Sequence, residues 1–376
     1  MRIEEIELYY VAMPLKYPWR TAYGEDWEIH SVLVKAVGDG HEGWGETTPF
    51  FAPTYSPETA GSAFLLLKEV FCPLLVGQEI ESAQELNRHL AMFKGNPFAK
   101  AGIETAWWSL EAQIQGRPLH QLLGGKRTVV EAGADFGVQD SFDMLLGNIE
   151  KALQAGFKRV KLKAKPGWDL EMLKVVRGTF PNDTFHIDCN AGYTLDDLPF
   201  FKAVDRMGLA MIEQPLQHND LVDHAELQRQ IETPVCLDES LTSVRDMEMA
   251  LRLDSCRYVN IKPGRVGGLA NAKAIHDLAE QNGIPAWVGG MLESGIGAGI
   301  CVELASLANF VYPNDLFPSE RFYEQDLTEP ALKVDPGCVF RVSDEPGTPY
   351  RPIQERIDRV TRQKAVIRKN GTWAVS

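Results

Sequence analysis

The stretch Phe157-Lys158-Arg159-Val160-Lys161-Leu162-Lys163 decides how this chain folds. Apolar residues and cations alternate along it, as in a strand whose two faces meet different surroundings. A helix-length segment precedes it. That segment opens at Ser141, a good helix cap, and ends at Gly156, which suits the position just past a helix end. The same helix-then-strand rhythm recurs outward from here, with strands expected at 185–189, 209–213, 234–238, 257–262 and 285–289. A strand near 130–137 precedes the series, and an eighth element near 309–316 follows it. Strands alternating with helices imply a parallel sheet, and seven or eight such units fit an α/β fold of the (β/α) barrel type. A doubly wound open sheet would carry a glycine-rich phosphate loop after its first strand, and no GxGxxG occurs there.

Toward the N-terminus the pattern changes. Residues 3–15 alternate like a strand, and 31–48 form two strand-like runs around Asp39-Gly40, a hairpin signal. Helical spacing follows at 57–70 and 98–115, and Gly124-Gly125 closes the region. The expected organisation is an α+β capping domain over 1–125, a barrel over 126–319, and a segment over 320–376 that packs back on the cap.

Composition narrows the function. The chain has 376 residues, 44% of them hydrophobic, and a formal net charge of -14. A nucleic-acid partner would need a basic face. No apolar run is long enough for a membrane span, and the acidic, alternating start does not read as a signal peptide. The six cysteines form no close pair, which suits a reduced, cytoplasmic protein. A homo-oligomer is the expected assembly.

Five expected strands end in charge: Lys163, Asp188, Glu213, Asp238 and Lys262, at intervals of 25, 25, 25 and 24 residues. The C-terminal ends of barrel strands form the active-site face, so these side chains should converge. Lys161 shares a strand face with Lys163. Three carboxylates at one mouth repel each other without a cation, and magnesium (or manganese) takes such oxygen ligands while keeping open positions. A metal-bound carboxylate has an acidified α-proton, and lysine can remove it if neighbouring cations depress its pKa. Lys161 and Arg265 are placed to depress Lys163 and Lys262, and the two bases should lie across the ring from each other. A zinc hydrolase would need clustered histidines, and no HxH pair occurs. A Schiff-base lyase needs no carboxylate trio. A non-catalytic binding protein would not need both lysines.

Lys161-x-Lys163, Asp188-Cys-Asn190, Glu213-Gln-Pro215, Asp238-Glu239-Ser240 and Asn260-Ile-Lys262 together resemble the enolase superfamily, in its muconate-lactonizing-enzyme-like subgroup. The run Asn260 to Gly268, with Arg265, and the run Gly289-Gly290-Met291-Leu292-Glu293-Ser-Gly295 are similar to its o-succinylbenzoate synthase / N-acylamino acid racemase branch. The resemblance implies dehydration of a cyclohexadiene carboxylate in menaquinone synthesis, racemisation of N-acylamino acids, or both, with another muconate-cycloisomerase-like isomerisation as the further alternative. It implies supporting roles for Asn190 and Glu239 beside the metal ligands. It also implies substrate contacts from Arg20 and Tyr23 in a closing loop over 17–25, and from Gly289, Gly290, Met291 and Glu293. Where the family's first barrel strand often has a small Ser, this chain has Asp135, which would repel an acidic substrate tail. Trp44, Trp107, Trp108 and His186 are expected to be structural.

Overall fold

The computed structural model describes residues 1–21 and 24–369, together with the backbone of 374–375. Three antiparallel strands open the chain: β1 (Glu5–Thr21), β2 (Gly24–Gly38) and β3 (His41–Thr47). The β2–β3 connection is two residues long, with Asp39 and Gly40 at φ of 50° and 78°. Both positive angles match the twist of a tight hairpin, which Asp-Gly tolerates. The helix Pro97–Gln115 lies on this sheet. At Gly43 an added Cβ would sit 2.1 Å from the Leu110 backbone nitrogen, so glycine lets strand and helix touch.

In the region expected as a closing loop over 17–25, residues 17–21 and 24–25 are strand. β1 and β2 pair out to Thr21↔Gly24, after a register shift between Pro14 and Trp19. Proline and aromatic clustering hid the strand, because the shift breaks the alternation. The helix expected over 57–70 begins at Ala60, capped by Thr59, and runs through a π-turn (Leu67–Phe71) to Leu75. A further helix, Ala83–Leu90, lay outside the expected pattern; it buries Ala83, Leu86 and Leu90.

The barrel follows. A short β4 (Val129–Glu131) precedes seven parallel strands: β5 (Ala134–Phe136), β6 (Val160–Lys163), β7 (Phe185–Asp188), β8 (Ile212–Glu213), β9 (Val235–Leu237), β10 (Tyr258–Ile261) and β11 (Ala286–Val288), hydrogen-bonded in sequence order. The single strand expected over 130–137 is thus two. It breaks near Gly133, where an added Cβ would lie 2.0 Å from the Arg159 guanidinium carbon. The eighth element forms no strand, because Pro313 has no N–H to give a ladder. The segment still closes the ring: Val311 N–H donates to Ala286 O at 3.1 Å, Asp315 N–H to Val288 O at 2.9 Å, and Asn314 N–H to Glu131 O at 2.9 Å.

After the barrel come β12 (Thr328–Glu329), β13 (Val339–Arg341), β14 (Arg351–Pro352), β15 (Thr361–Arg368) and β16 (Ala374–Val375). β13 pairs with β4, and β15 pairs antiparallel with β1, so the chain end completes the N-terminal sheet in the order β16-β15-β1-β2-β3. Cap and barrel are joined by buried carboxylates set against helix starts. Glu46 accepts from the backbone of Ser294 (3.1 Å) and Gly297 (3.0 Å), at the start of barrel helix Gly295–Leu304. Glu104 accepts from Leu269 (2.6 Å) and Ala270 (2.8 Å), at the start of helix Leu269–Gln281. Helix N-termini expose unpaired N–H groups and partial positive charge, so each acid fills a need there. Among the described residues no helix is long and apolar enough to cross a membrane. All six cysteines are free and buried.

Candidate active site

Lys163, Asp188 and Glu213 are the last residues of β6, β7 and β8, while Asp238 and Lys262 lie one residue beyond β9 and β10. All five are buried at the mouth of the barrel. The pleat separates the faces of β6 as alternation requires: Val160 and Leu162 join the large apolar cluster between sheet and helices, while Lys161 and Lys163 face inward.

Lys163 Nζ donates to Asp188 Oδ2 at 2.6 Å, and Lys262 Nζ to Asp238 Oδ2 at 2.8 Å. Lys161 sits deeper. Its Nζ lies 3.4 Å from both Asp188 Oδ2 and Glu213 Oε2, 3.6 Å from Asp135 Oδ2, and pairs with Asp315. Burial disfavours the Lys161 ammonium, but Asp135, Asp315, Glu213 and Asp188 outweigh it and hold the pKa well above the usual lysine value. Burial likewise opposes the Lys262 charge, yet the Tyr55, Glu239 and Glu213 groups raise its pKa. Lys161 does pull Lys262 down, as expected, but the acidic groups outweigh that pull, so the net shift from the protein's own groups is upward. Within the protein's own charge set, acids outnumber bases around it.

Each carboxylate is held by a second group. Asn260 Nδ2 donates to Glu213 Oε1 at 2.7 Å, and the Asn190 N–H donates to Asp188 Oδ1 at 2.9 Å. Asp238 receives Tyr55 Oη at 2.9 Å and also Arg265 Nη1. Arg265 additionally donates to the Leu241 carbonyl at 2.8 Å, so it is a fully buried strut rather than a loop cation. Asn190 Nδ2 reaches Glu239 Oε1 at 3.4 Å. Burial, with Asp188 nearby, pushes the Glu239 pKa up to about 7. His186 is buried between Tyr312 Oη (3.0 Å) and Glu213 Oε2 (3.5 Å), and burial lowers its pKa to about 4, so the ring is neutral.

The remaining candidates separate. Gly289 and Gly290 are where side chains would collide: a Cβ on Gly289 would meet Asn260 Oδ1 at 2.2 Å and Lys262 Cε at 2.6 Å, and one on Gly290 would meet the Asp315 carbonyl at 2.5 Å. Met291 lines the chamber. Glu293 turns back onto its own loop, accepting from the Met291 N–H at 2.8 Å, and is not part of the chamber wall. Arg20 is tied to Glu25 (2.7 Å) and Asp140 (2.6 Å) at the outer edge. Tyr23 lies outside the described residues. Asp135 is buried in the wall with its Oδ1 unpartnered. Trp107 is core, as is Trp44, while Trp108 donates to Glu104.

Three groups escaped the sequence reading. Tyr55, from a cap loop, touches Asp238, Lys262 and Arg265. Asp315 bridges Lys161 and Arg159; it ends the eighth barrel segment, so the strand-end rule would have found it had that segment been trusted. Arg321 carries no sequence signal. The chamber is roofed by Trp19, Phe50 and Tyr55 from the cap, and through Trp19 and Asp135 it adjoins a vestibule of ≈ 460 Å³.

Comparison with known proteins agrees with this architecture. Residues 145–355 match the enolase C-terminal domain-like family, and residues 4–124 match the N-terminal domain of mandelate racemases and muconate lactonizing enzymes. An o-succinylbenzoate synthase from Geobacillus stearothermophilus is 41% identical, with 99% of each chain covered. An N-succinylamino acid racemase from Thermus thermophilus is 44% identical, over 90% of this chain and 92% of that one. Among solved structures, an enolase-superfamily member from Listeria innocua has a TM-score of 0.94 at 34% identity, covering 98% of this chain and 100% of that chain. With both domains matched and relatives aligned nearly end to end, this chain belongs to the enolase superfamily, as an enzyme of the mandelate racemase / muconate lactonizing enzyme group.

Proposed function

We propose that this enzyme is an o-succinylbenzoate synthase: it removes the proton alpha to a ring carboxylate and expels hydroxide from the same face. The observation that carries the proposal is the pairing of Lys163 with Asp188 and of Lys262 with Asp238, which gives one buried lysine Nζ to each flank of a single carboxylate set. The relatives named for this synthase, at about 41% identity over nearly the full length, support it.

Enzymes of this superfamily use a divalent metal, and the chemistry of the donor set here fits one, although as placed the oxygens of the three carboxylates do not all lie within 4.8 Å of one another. Glu213 Oε2, Asn190 Oδ1, Glu239 Oε2 and Asn260 Oδ1 are buried oxygens without a hydrogen-bond donor. Unsatisfied acceptors crowded in a dry site are costly unless a cation uses them. Asp188, Glu213 and Asp238 would hold magnesium, or manganese, as oxygen ligands. When bound, the ion supplies positive charge that stabilises the substrate carboxylate as its α-carbon becomes anionic.

The side chains then divide the work. Lys163 Nζ takes the α-proton and returns it to the departing hydroxyl group, so that water leaves and the double bond forms. Lys262, on the opposite flank, offers its ammonium to the developing charge. Asn260, the Asn190 N–H, Tyr55 and Arg265 orient the three carboxylates from behind. Trp19, Phe50 and Tyr55 keep bulk water from the chamber. Racemisation of N-succinylamino acids is the second activity, favoured by the same two lysines: a proton removed by one is replaced by the other from the opposite face. The Thermus relative supports it.

The test is direct. In magnesium-containing D2O, the enzyme should dehydrate the cyclohexadiene carboxylate and exchange the α-proton of an N-succinylamino acid. EDTA should stop both, and added metal should restore them. Turnover no faster than buffer, with metal present, would overturn the assignment.

A further inference from the structure

The vestibule beside the chamber contains two arginines, and they are in opposite situations. Arg20 is already neutralised by Glu25 and Asp140. Arg321, on the short turn Ser319–Arg321, has no carboxylate within salt-bridge distance among the described residues. Its guanidinium is instead held over the rings of Phe317 (4.8 Å), Phe322 (5.2 Å) and Phe136 (5.7 Å). Ring faces fix a guanidinium without using its in-plane donors, which remain free to receive a carboxylate as a fork. One donor is spent: Arg321 Nη2 bonds the Asp135 backbone carbonyl.

That bond also sets the direction of Asp135. Its carbonyl faces Arg321, while its carboxylate Oδ2 turns to Lys161, 3.6 Å away in the chamber. The wall between chamber and vestibule therefore shows an acid stabilised chiefly by Lys161, and at longer range by Lys163 and Arg321, and on the other side a ring-held arginine with no carboxylate within salt-bridge distance among the described residues. A substrate spanning both would place its reacting carboxylate among Lys163, Lys262 and the acids, and its tail against Arg321.

We infer that Arg321 binds the distal carboxylate of a dicarboxylate substrate, making the vestibule a specificity site for acidic tails. This rests on the proposed reaction, since the tail is defined by the atom that reacts. An immobilised guanidinium loses little freedom on binding, and a charged hydrogen bond of this kind is worth about 10- to 100-fold in affinity.

The experiment compares α-proton exchange in D2O, with magnesium, for an N-succinylamino acid and for the N-acetyl derivative of the same amino acid. In Arg321→Met the ratio of kcat/KM, succinyl over acetyl, should fall about 10- to 100-fold, mainly through KM. Arg321→Lys should recover part of it. Because both substrates are assayed on one preparation, a reduced folded fraction cancels from the ratio. A ratio within twofold of wild type in both variants would overturn the inference while leaving the reaction intact. Failure of the wild-type enzyme both to exchange either compound and to dehydrate the cyclohexadiene carboxylate would instead overturn the proposed reaction, and this inference with it; if only dehydration is seen, an Arg321→Met KM for that dianionic substrate within twofold of wild type overturns the inference.

Discussion

Two sets of buried carboxylates lie within this molecule, one along the seam between cap and barrel and one at the barrel mouth. Glu46 and Glu104 at the seam meet backbone N–H groups at helix starts, and Glu104 also takes the Trp108 indole at 2.9 Å. Asp188, Glu213 and Asp238 at the mouth meet ammonium and guanidinium groups, and Glu213 keeps an unpartnered oxygen. Residue type and burial are the same; partner type differs. Backbone donors cannot move, so the seam acids are tied to one geometry. Side-chain cations and unused lone pairs leave the mouth acids free to exchange partners when a substrate or metal arrives. The difference shows as well in titration. Burial pushes Glu104 up to about 7 against its three donors, whereas the Lys161 charge, with Lys163 behind it, helps overcome burial and hold Glu213 well below the usual carboxylate range.

The comparison is broken most severely by removing a mouth cation. Lys163→Ala and Lys262→Ala should each lower racemisation by about 10²–10⁴-fold, the usual contribution of a positioned acid or base. For syn dehydration Lys163→Ala should cost as much, and Lys262→Ala less, because only one base moves the proton. Steady-state assays of both reactions on both variants check this. Near-wild-type dehydration by Lys163→Ala would reverse the roles assigned to the two lysines.

Next in size is the orientation of the mouth acids. Asn260 holds Glu213 Oε1 at 2.7 Å, and groups of this kind are commonly worth about 10–100-fold in metal affinity. Calorimetric titration of Asn260→Ala with Mn²⁺ should show a loss of that order, with little change in thermal unfolding of the metal-stripped protein. Unchanged affinity would mean that Glu213 needs no orientation and that mouth and seam differ less than proposed.

The seam can be tested through pH. Glu104 has a native pKa near 7 against an ordinary value of 4.5. Between these limits the native state keeps a proton that the unfolded state has lost. The stabilisation is therefore complete below pH 4.5 and is lost as pH rises toward 7. Glutamine cannot titrate. The stability difference, wild type minus Glu104→Gln, should thus fall by about 3 kcal/mol from pH 4.5 to 7.5, measured by urea unfolding. Metal affinity should not follow it. A flat difference would mean that Glu104 is ionised throughout and resembles the mouth acids.

How much of this could be read from the sequence depended on periodicity. Lys163, Asp188 and Glu213 close regular strands, and their equal spacing reflects equal helix and strand lengths around a barrel. Asp238 and Lys262 fall one residue past their strands, a shift within the usual uncertainty of strand ends. Asp315 was hidden because Pro313 interrupts the last barrel segment, and Tyr55 and Arg321 because a loop and a short turn have no period. Their positions depend on the cap closing over the barrel, which only the assembled fold provides. The β1–β2 ribbon was lost to a register shift, and the seam acids to their places in the interior of β3 and of the helix Pro97–Gln115, where sequence offers no reason to expect a long-range cap.

The smallest expected effect concerns Asp135, which sits between the two categories. It is buried like the mouth acids and has an unpartnered Oδ1 like Glu213. Burial raises its pKa, against the pull of Lys161. If it acts electrostatically on the substrate tail, removing it should help a dianionic substrate relative to a neutral one. The effect should be modest, because Oδ2 faces Lys161 at 3.6 Å and Lys163 and Arg321 add to that stabilisation, while the hydrogen bond from Arg321 goes to the carbonyl. A charge already matched by a neighbour projects little net field. Asp135→Ser should therefore raise the succinyl-over-acetyl ratio of kcat/KM by only about two- to fivefold, a change of up to roughly 1 kcal/mol. Dehydration and racemisation should rise together with the acidic substrates, since both begin with the same proton loss. A tenfold or larger rise would mean that Asp135 faces the tail directly and that Lys161 does not screen it. A rise in dehydration alone would place Asp135 after the shared first step, at the departing hydroxyl rather than at the tail.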